Sequence, residues 1–146
     1  MYLIDTNVIS EARKRERADP GVLAFLRAAA ARDEALYLSV VTIGELRRGI
    51  ELIRHRGDEP QAGLLEHWMH TVLHDYADLI LAFDADAAQV WGRLRVPHPE
   101  HELDKQIAAI ALVHDLTVVT RNVRHFRASG VKLLNPFAIK RRLERR

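Results

Sequence analysis

The stretch Tyr2-Leu3-Ile4-Asp5-Thr6-Asn7 decides how the rest of the chain is read. A short apolar strand ends in a carboxylate and two small polar side chains. In open α/β sheets, ligands sit in the crevice beyond the carboxyl ends of the strands. Such a strand therefore presents an acid to a site. The same Asp also suits a turn or a helix cap, and the stretch alone leaves both readings open.

The chain has 146 residues, 48% hydrophobic and 29% charged, which suits one globular domain over 1–146 with a proper core. It has no cysteine, so disulfide frameworks and thiolate metal sites are excluded. A reducing cytoplasm fits that usage. The first apolar run stops at Asp5 and none reaches bilayer-spanning length, so neither a signal peptide nor a membrane partner is expected. Net charge is +2, with the basic excess most visible in Lys140-Arg141-Arg142-Leu143-Glu144-Arg145-Arg146. That tail suits phosphates or an acidic partner; equally, it reads as a solvated helix end whose cations complement the macrodipole.

Downstream of Asp5, Val8 to Arg17 reads as a short charged helix, punctuated by Asp19-Pro20-Gly21. Val22, Leu23, Phe25, Leu26 and Ala29 recur at helical spacing. Leu36 to Val41 reads as a second strand. Thr42-Ile43-Gly44-Glu45 then opens a helix with Leu46, Ile50 and Ile53 on its apolar face. Thr42 and Glu45 have the spacing of a capping box, in which both side chains satisfy free backbone N–H groups. The rival reading sets Glu45 beside Asp5, because adjacent parallel strands bring their C-terminal ends together. Arg47 and Arg48 read as exposed charges.

A long helix from about Gln61 to Tyr76 carries His67, His70 and His74 on one face. Without a His-Glu-x-x-His pattern they read as surface histidines rather than metal ligands. Leu79 to Phe83 is a third strand, and Asp84 caps the next helix. His98 and His101 lie in a Pro- and His-rich loop, read as solvated in preference to metal-binding. Asp104 begins an almost wholly apolar helix through Val113, as a plain N-cap or as part of a site. Leu116 to Val119 is a fourth strand, ending in Thr120-Arg121-Asn122. His125 and Phe126 follow on a short turn, and Val131 to Leu134 is a last edge strand before a basic C-terminal helix. This alternation argues for an α/β fold with a parallel sheet covered on both faces.

Asp5, Glu45 and Asp104 each sit where a strand end or helix start faces one crevice, with Asn122 on the same rim. Clustered carboxylates raise one another's pKa unless a cation neutralises them. Oxygen-only ligands suit Mg²⁺ or Mn²⁺, which lower the pKa of a bound water and clamp phosphoryl oxygens. No thiol nucleophile, Gly-rich phosphate loop or Ser-His-Asp set competes with this reading.

The sequence resembles the PIN-domain ribonucleases and, within them, the VapC toxins of type II toxin–antitoxin pairs, including the FitB-like branch. The resemblance is carried by Tyr2 to Glu11, Leu38 to Ile50, Asp104 with Ile107-Ala108-Ala109, Thr120-Arg121-Asn122, and Leu133 to Phe137. It implies a three-layer α/β/α sandwich with a mainly parallel central sheet. It also implies Mg²⁺-dependent endonuclease cleavage of RNA, leaving a 5′-phosphate and a 3′-hydroxyl. Asp5 and Asp104 match the metal-binding acids, Glu45 the third acid and Asn122 a fourth polar position, with Thr6 and Thr120 in support. Two positions depart from the pattern. Lys105 and Gln106 follow Asp104 where a glycine is usual, and His125 stands where an acid often precedes the Phe, which weakens the case for a second tightly held cation.

The partners so implied are RNA, a small VapB-like antitoxin that plugs the acidic groove, a second copy of the chain, and operator DNA reached through the antitoxin. The alternative is a catalytically inert module of the same fold within a DNA-bound repressor complex. A phosphorylation-switched receiver domain is disfavoured, because no paired acids end the first strand and no Lys ends a later one.

Overall fold

The structure, a computed structural model, describes residues 1–137. The basic tail Lys140 to Arg146, and the C-terminal helix expected there, lie outside the described residues. The chain opens with β1 (Tyr2–Ile4) and α1 (Thr6–Ala12), then α2 (Pro20–Ala31), β2 (Leu36–Ser39), α3 (Val40–His55) and α4 (Glu59–Asp75). It continues through β3 (Ile80–Leu81), α5 (Ala85–Leu94), α6 (Glu102–Val113), β4 (Thr117–Val119), α7 (Val123–Phe126) and β5 (Leu133–Leu134). The strands form one sheet of order β3-β2-β1-β4-β5, and every pairing is parallel.

Alternation along each strand sorts the two faces. Ile4, Leu38 and Val119 join a core with Val8, Ile9, Val22, Leu46, Ile50 and Met69, covered by α1 to α4. Leu3 and Val118 face the opposite core with Ile107, Ile110 and Phe126, covered by α5, α6 and α7. The expected three-layer α/β/α sandwich is thus the observed one. Among the described residues, no helix is long and apolar enough to cross a membrane.

Several boundaries differ from the sequence reading for local reasons. α1 stops at Ala12, and Arg15 to Arg17 form a separate 3₁₀ turn. Pro20 and Gly21 lie inside α2, not before it: Asp19 caps that helix, and Pro is suited to the first helical turn, where its missing N–H costs nothing. β3 and β5 shrink to two residues each at the sheet edges, which leaves little unpaired backbone for another chain to extend. The turn carrying His125 is the short helix α7. His67, His70 and His74 are exposed on α4, as expected. Arg47 is not free: it donates to Glu66 at 2.6 Å, linking α3 to α4.

Gly21 is required by a close approach. A Cβ there would lie 2.0 Å from the backbone carbonyl oxygen of Pro136. Ala is better than Gly within a helix by about 1 kcal/mol, so propensity alone predicts that Gly21→Ala stabilises. The clash opposes it and is expected to win, with a net loss of about 1–3 kcal/mol by thermal or urea unfolding. A variant as stable as the parent would show that the Pro136 segment moves aside freely.

Candidate active site

The strand order reverses at β1: the chain runs from β1 to β2 on one side and later returns to β4 on the other. A crevice opens at such a switch point, beyond the carboxyl ends of the strands. Asp5 ends β1 there and Thr120 follows β4. The two side chains bridge the crevice directly, the Thr120 hydroxyl donating to Asp5 Oδ2 at 2.7 Å.

The cap reading of Asp5 holds, and the same carboxylate stands at the β1 end of the crevice. It is the N-cap of α1, in extended backbone, and Oδ1 accepts from the Thr6 N–H at 2.8 Å. Oδ2 accepts from Thr120 and, at 3.2 Å, from the Asn7 amide. A carboxylate offers about four lone pairs, so Oδ1 retains one for a further partner. The residue is only 3% exposed. Burial pushes its carboxyl up to about 6; the hydrogen bonds from Thr120 and Thr6 oppose this, and the charges of Asp104 and Glu45 add to it.

Asn7 was not singled out in the sequence. Its Oδ1 accepts from the Arg121 N–H at 3.1 Å, which fixes the amide so that Nδ2 points at Asp5 and Thr120. The signal was present in the Asp-Thr-Asn run, but two of its partners, Thr120 and Arg121, lie more than a hundred residues away in sequence.

Glu45 does not form a capping box. α3 begins at Val40 and its cap is Ser39, whose Oγ accepts from the Thr42 N–H at 3.1 Å. The β-branched pair Val40-Val41 reads equally well as strand, which hid the true helix start. One turn into α3, Glu45 accepts the Thr6 hydroxyl at 2.9 Å. Thr6 Oγ1 also lies 3.1 Å from Thr42 Oγ1. A hydroxyl has one proton, so Thr6 gives its own to Glu45 and Thr42 supplies the second contact. Asp5 and Glu45 are thereby held through one residue, Thr6. Burial raises the Glu45 carboxyl above its usual range, with the Thr6 hydrogen bond opposing and the Asp104 charge reinforcing.

Asp104 is not an N-cap. α6 starts at Glu102 after His101, and Asp104 stands within the first turn. Its charge reaches both Asp5 and Glu45. Its Oδ2 lies 2.8 Å from His125 Nδ1, and the His125 ring stacks on His101 with centroids 4.1 Å apart. The ligand atoms of His101, Asp104 and His125 all lie within 4.8 Å of one another. Among the described residues Asp5, Glu45 and Asp104 are not gathered so tightly; charge and Thr6 couple them.

Asn122 contributes its backbone, the N–H donating to Thr120 Oγ1 at 2.9 Å, and its side chain is exposed on the rim. Beside it opens a cavity of about 380 Å³ lined by Arg121, Arg124, His125 and Arg127. The loop holding His98 and His101 is exposed but strapped down. The buried Lys105 donates to the His98 carbonyl, and Arg95 donates to Glu102 at 2.9 Å.

The donor set fits a hard divalent cation. Asp5 is a deeply buried carboxylate with a spare lone pair, disfavoured as an anion first by burial and then by its neighbours' charge, and a cation beside it opposes both. All three acids offer oxygen.

A family model described as the PIN domain matches residues 2–131. Among curated proteins, the chain is 38% identical to "Plasmid stability protein StbB" of Pseudomonas syringae pv. tomato, covering 94% of this chain and 99% of that one. It is 35% identical to "Toxin FitB" of Neisseria gonorrhoeae (94% and 99% covered) and 34% to "VapC ribonuclease Y4jK" of Sinorhizobium fredii (94% and 98%). Among solved structures, a chain of the N. gonorrhoeae crystal structure described as "FitAcB" superposes with a TM-score of 0.80 at 34% identity, over 94% of this chain and 99% of that one.

Proposed function

Because this chain belongs to the PIN-domain family, we propose that it is a Mg²⁺-dependent endoribonuclease and the toxin of a type II toxin–antitoxin pair. One observation carries the chemistry: a buried carboxylate, Asp5, is pinned in the β1/β4 crevice with a lone pair to spare and two further acids within reach of its charge. Similarity to a VapC ribonuclease and a toxin supports the substrate class and the biological role.

Asp5 and Asp104 would hold the ion. When bound, such a cation supplies Lewis acidity, lowering the pKa of its water and neutralising phosphoryl oxygens. Glu45, with its carboxyl raised and its Oε1 fixed by Thr6, orients the attacking water and takes up its proton. Thr6, Asn7 and Thr120 hold Asp5 so that no reorganisation is needed on substrate binding. Arg121, Arg124 and Arg127 provide cations beside the crevice for RNA phosphates on either side of the cut. The water oxygen bonds to phosphorus as the P–O3′ bond breaks, and the departing 3′ oxygen takes a proton from solvent, leaving a 5′-phosphate and a 3′-hydroxyl.

The acid-lined crevice suits an antitoxin Arg, which binds carboxylates bidentately. "FitAB bound to IR36 DNA fragment" is similar over 94% of this chain with a TM-score of 0.79. That supports an antitoxin-mediated complex of this chain on DNA.

The test is cleavage of end-labelled RNA with Mg²⁺, with Mn²⁺ and with chelator. Activity that survives full chelation overturns the reading. Glu45→Gln keeps the shape of the side chain and is expected to lower single-turnover cleavage by about 10²–10³-fold. Its unfolding midpoint should change little, because Ser39 rather than Glu45 caps α3. An inert module would bind no Mg²⁺ in a calorimetric titration.

A further inference from the structure

We infer that His101, Asp104 and His125 form a transition-metal site of two imidazoles and one carboxylate, suited to Zn²⁺. It is chemically distinct from the all-oxygen set that includes Asp5 and Glu45. Imidazole nitrogen favours zinc and its neighbours in the first transition row, whereas Mg²⁺ prefers oxygen and retains water.

The three side chains converge from two separate parts of the chain. His101 ends the loop before α6, in left-handed backbone at φ 58° and ψ 48°, and Asp104 follows three residues later in the first turn. Residues three apart on a helix are neighbours. His125 comes from α7, which is fixed in place by the fully buried Phe126. His125 Nδ1 already lies 2.8 Å from Asp104 Oδ2, and the His101 ring is parallel to it within 18°.

Zinc takes nitrogen and oxygen ligands at about 2.0–2.2 Å, so tetrahedral ligand atoms stand roughly 3.3–3.5 Å apart. The observed ligand atoms all lie within 4.8 Å of one another, so no pair has to close by more than about 1 Å, and the His101 and His125 rings that would adjust are both exposed. The loop behind it is already ordered. Lys105 holds the His98 carbonyl, the Trp91 indole donates to the Glu102 carbonyl, and Arg95 donates to the Glu102 carboxylate. A preorganised loop loses less entropy on binding. Two imidazoles and a carboxylate leave at least one coordination position open, because His101 and His125 face solvent.

Asp104 is common to both sets. On the proposed nuclease reading, zinc here withdraws a carboxylate from the catalytic pair and inhibits Mg²⁺-driven cleavage.

The test is direct titration of the metal-free protein with Zn²⁺ by calorimetry, and with Co²⁺ by its visible absorption. One ion per chain is expected, weakened by more than about tenfold in each of His101→Gln and His125→Gln. Binding should persist in His70→Gln, a surface control, and in Asp5→Asn. Circular dichroism of each variant checks that it is folded, and the two histidine variants, from different elements, guard against loss of fold in either one. Binding indifferent to both overturns the site. So does binding lost in Asp5→Asn but kept in His101→Gln, since the ion would then sit among the acids. Neither titration depends on RNA cleavage, so a failed nuclease assay leaves this result standing.

Discussion

Asp5→Asn is expected to lower RNA cleavage by up to about a thousandfold, while leaving the metal-free fold at least as stable as the parent at neutral pH. The rate loss is of the size seen when one electrostatic partner of a transition state is removed. Here the substitution takes a charged oxygen ligand from the centre of the crevice and leaves the shape unchanged. The stability gain follows from the pKa. In the folded chain the Asp5 carboxyl titrates at about 6, against an ordinary value of 3.8. Between those values the folded state holds a proton that the unfolded state has released, so stability falls as pH rises from about 4 to about 6. Above that window the full cost is present, about 3 kcal/mol. Asn carries no such cost.

What Asn loses is acceptor capacity. Oδ2 now accepts from Thr120 and Asn7, and an amide nitrogen in its place accepts from neither, at about 1 kcal/mol each. The difference is a net gain of about 1 kcal/mol. Unfolding of both proteins in chelator from pH 4 to pH 8 reads it as a difference curve that opens across the same window. Millimolar Mg²⁺ should raise the melting temperature of the parent and not of the variant. Parental cleavage by a folded Asp5→Asn removes the residue from the chemistry.

Phe126→Ala should cost about 3–5 kcal/mol, a large share of the stability of an ordinary domain. Phe126 is among the largest fully buried side chains, packed with Leu3, Val118, Ile107 and Ile110. It is also what fixes α7. Four residues are far too few for a helix to stand on its own propensity. Removing the ring therefore opens a cavity and frees the segment that sets His125 against Asp104. Urea unfolding should show a lowered midpoint, and the His125 to Asp104 contact should loosen in the folded fraction. Phe126→Leu, which refills most of the space, should lose much less. A loss below about 1 kcal/mol for the Ala variant would mean that the core closes around the gap.

The layers of the fold were legible because apolar periodicity is local. Leu3 beside Ile4 and Val118 beside Val119 are pairs with no polar face, which only a strand buried on both sides can use. α6 was legible for the same reason, its small apolar residues buried almost all round. Asp5 could be placed because a strand end is also a local feature.

The site itself was only half legible. Thr42 and Glu45 have the spacing of a cap, yet Ser39 takes that role, and Glu45 turns to Thr6, 39 residues earlier. Gly21 read as punctuation, whereas its lack of a Cβ admits the Pro136 carbonyl. His125 read as a departure from an expected acid, and His101 as part of a solvated loop; their stacking across 24 positions had no trace in either segment.

By itself, then, the sequence determined the element types, the two-sided burial of the sheet and the delivery of Asp5 to a strand end. Only the tertiary structure decided that β4, not β3, lies beside β1. On that neighbour depend the bond from Thr120 to Asp5, the bridging role of Asn7 and the position of His125. The reason is physical. Apolar burial follows from the spacing of a residue's own neighbours in sequence, whereas a polar side chain finds its partner only after distant strand ends have been brought side by side.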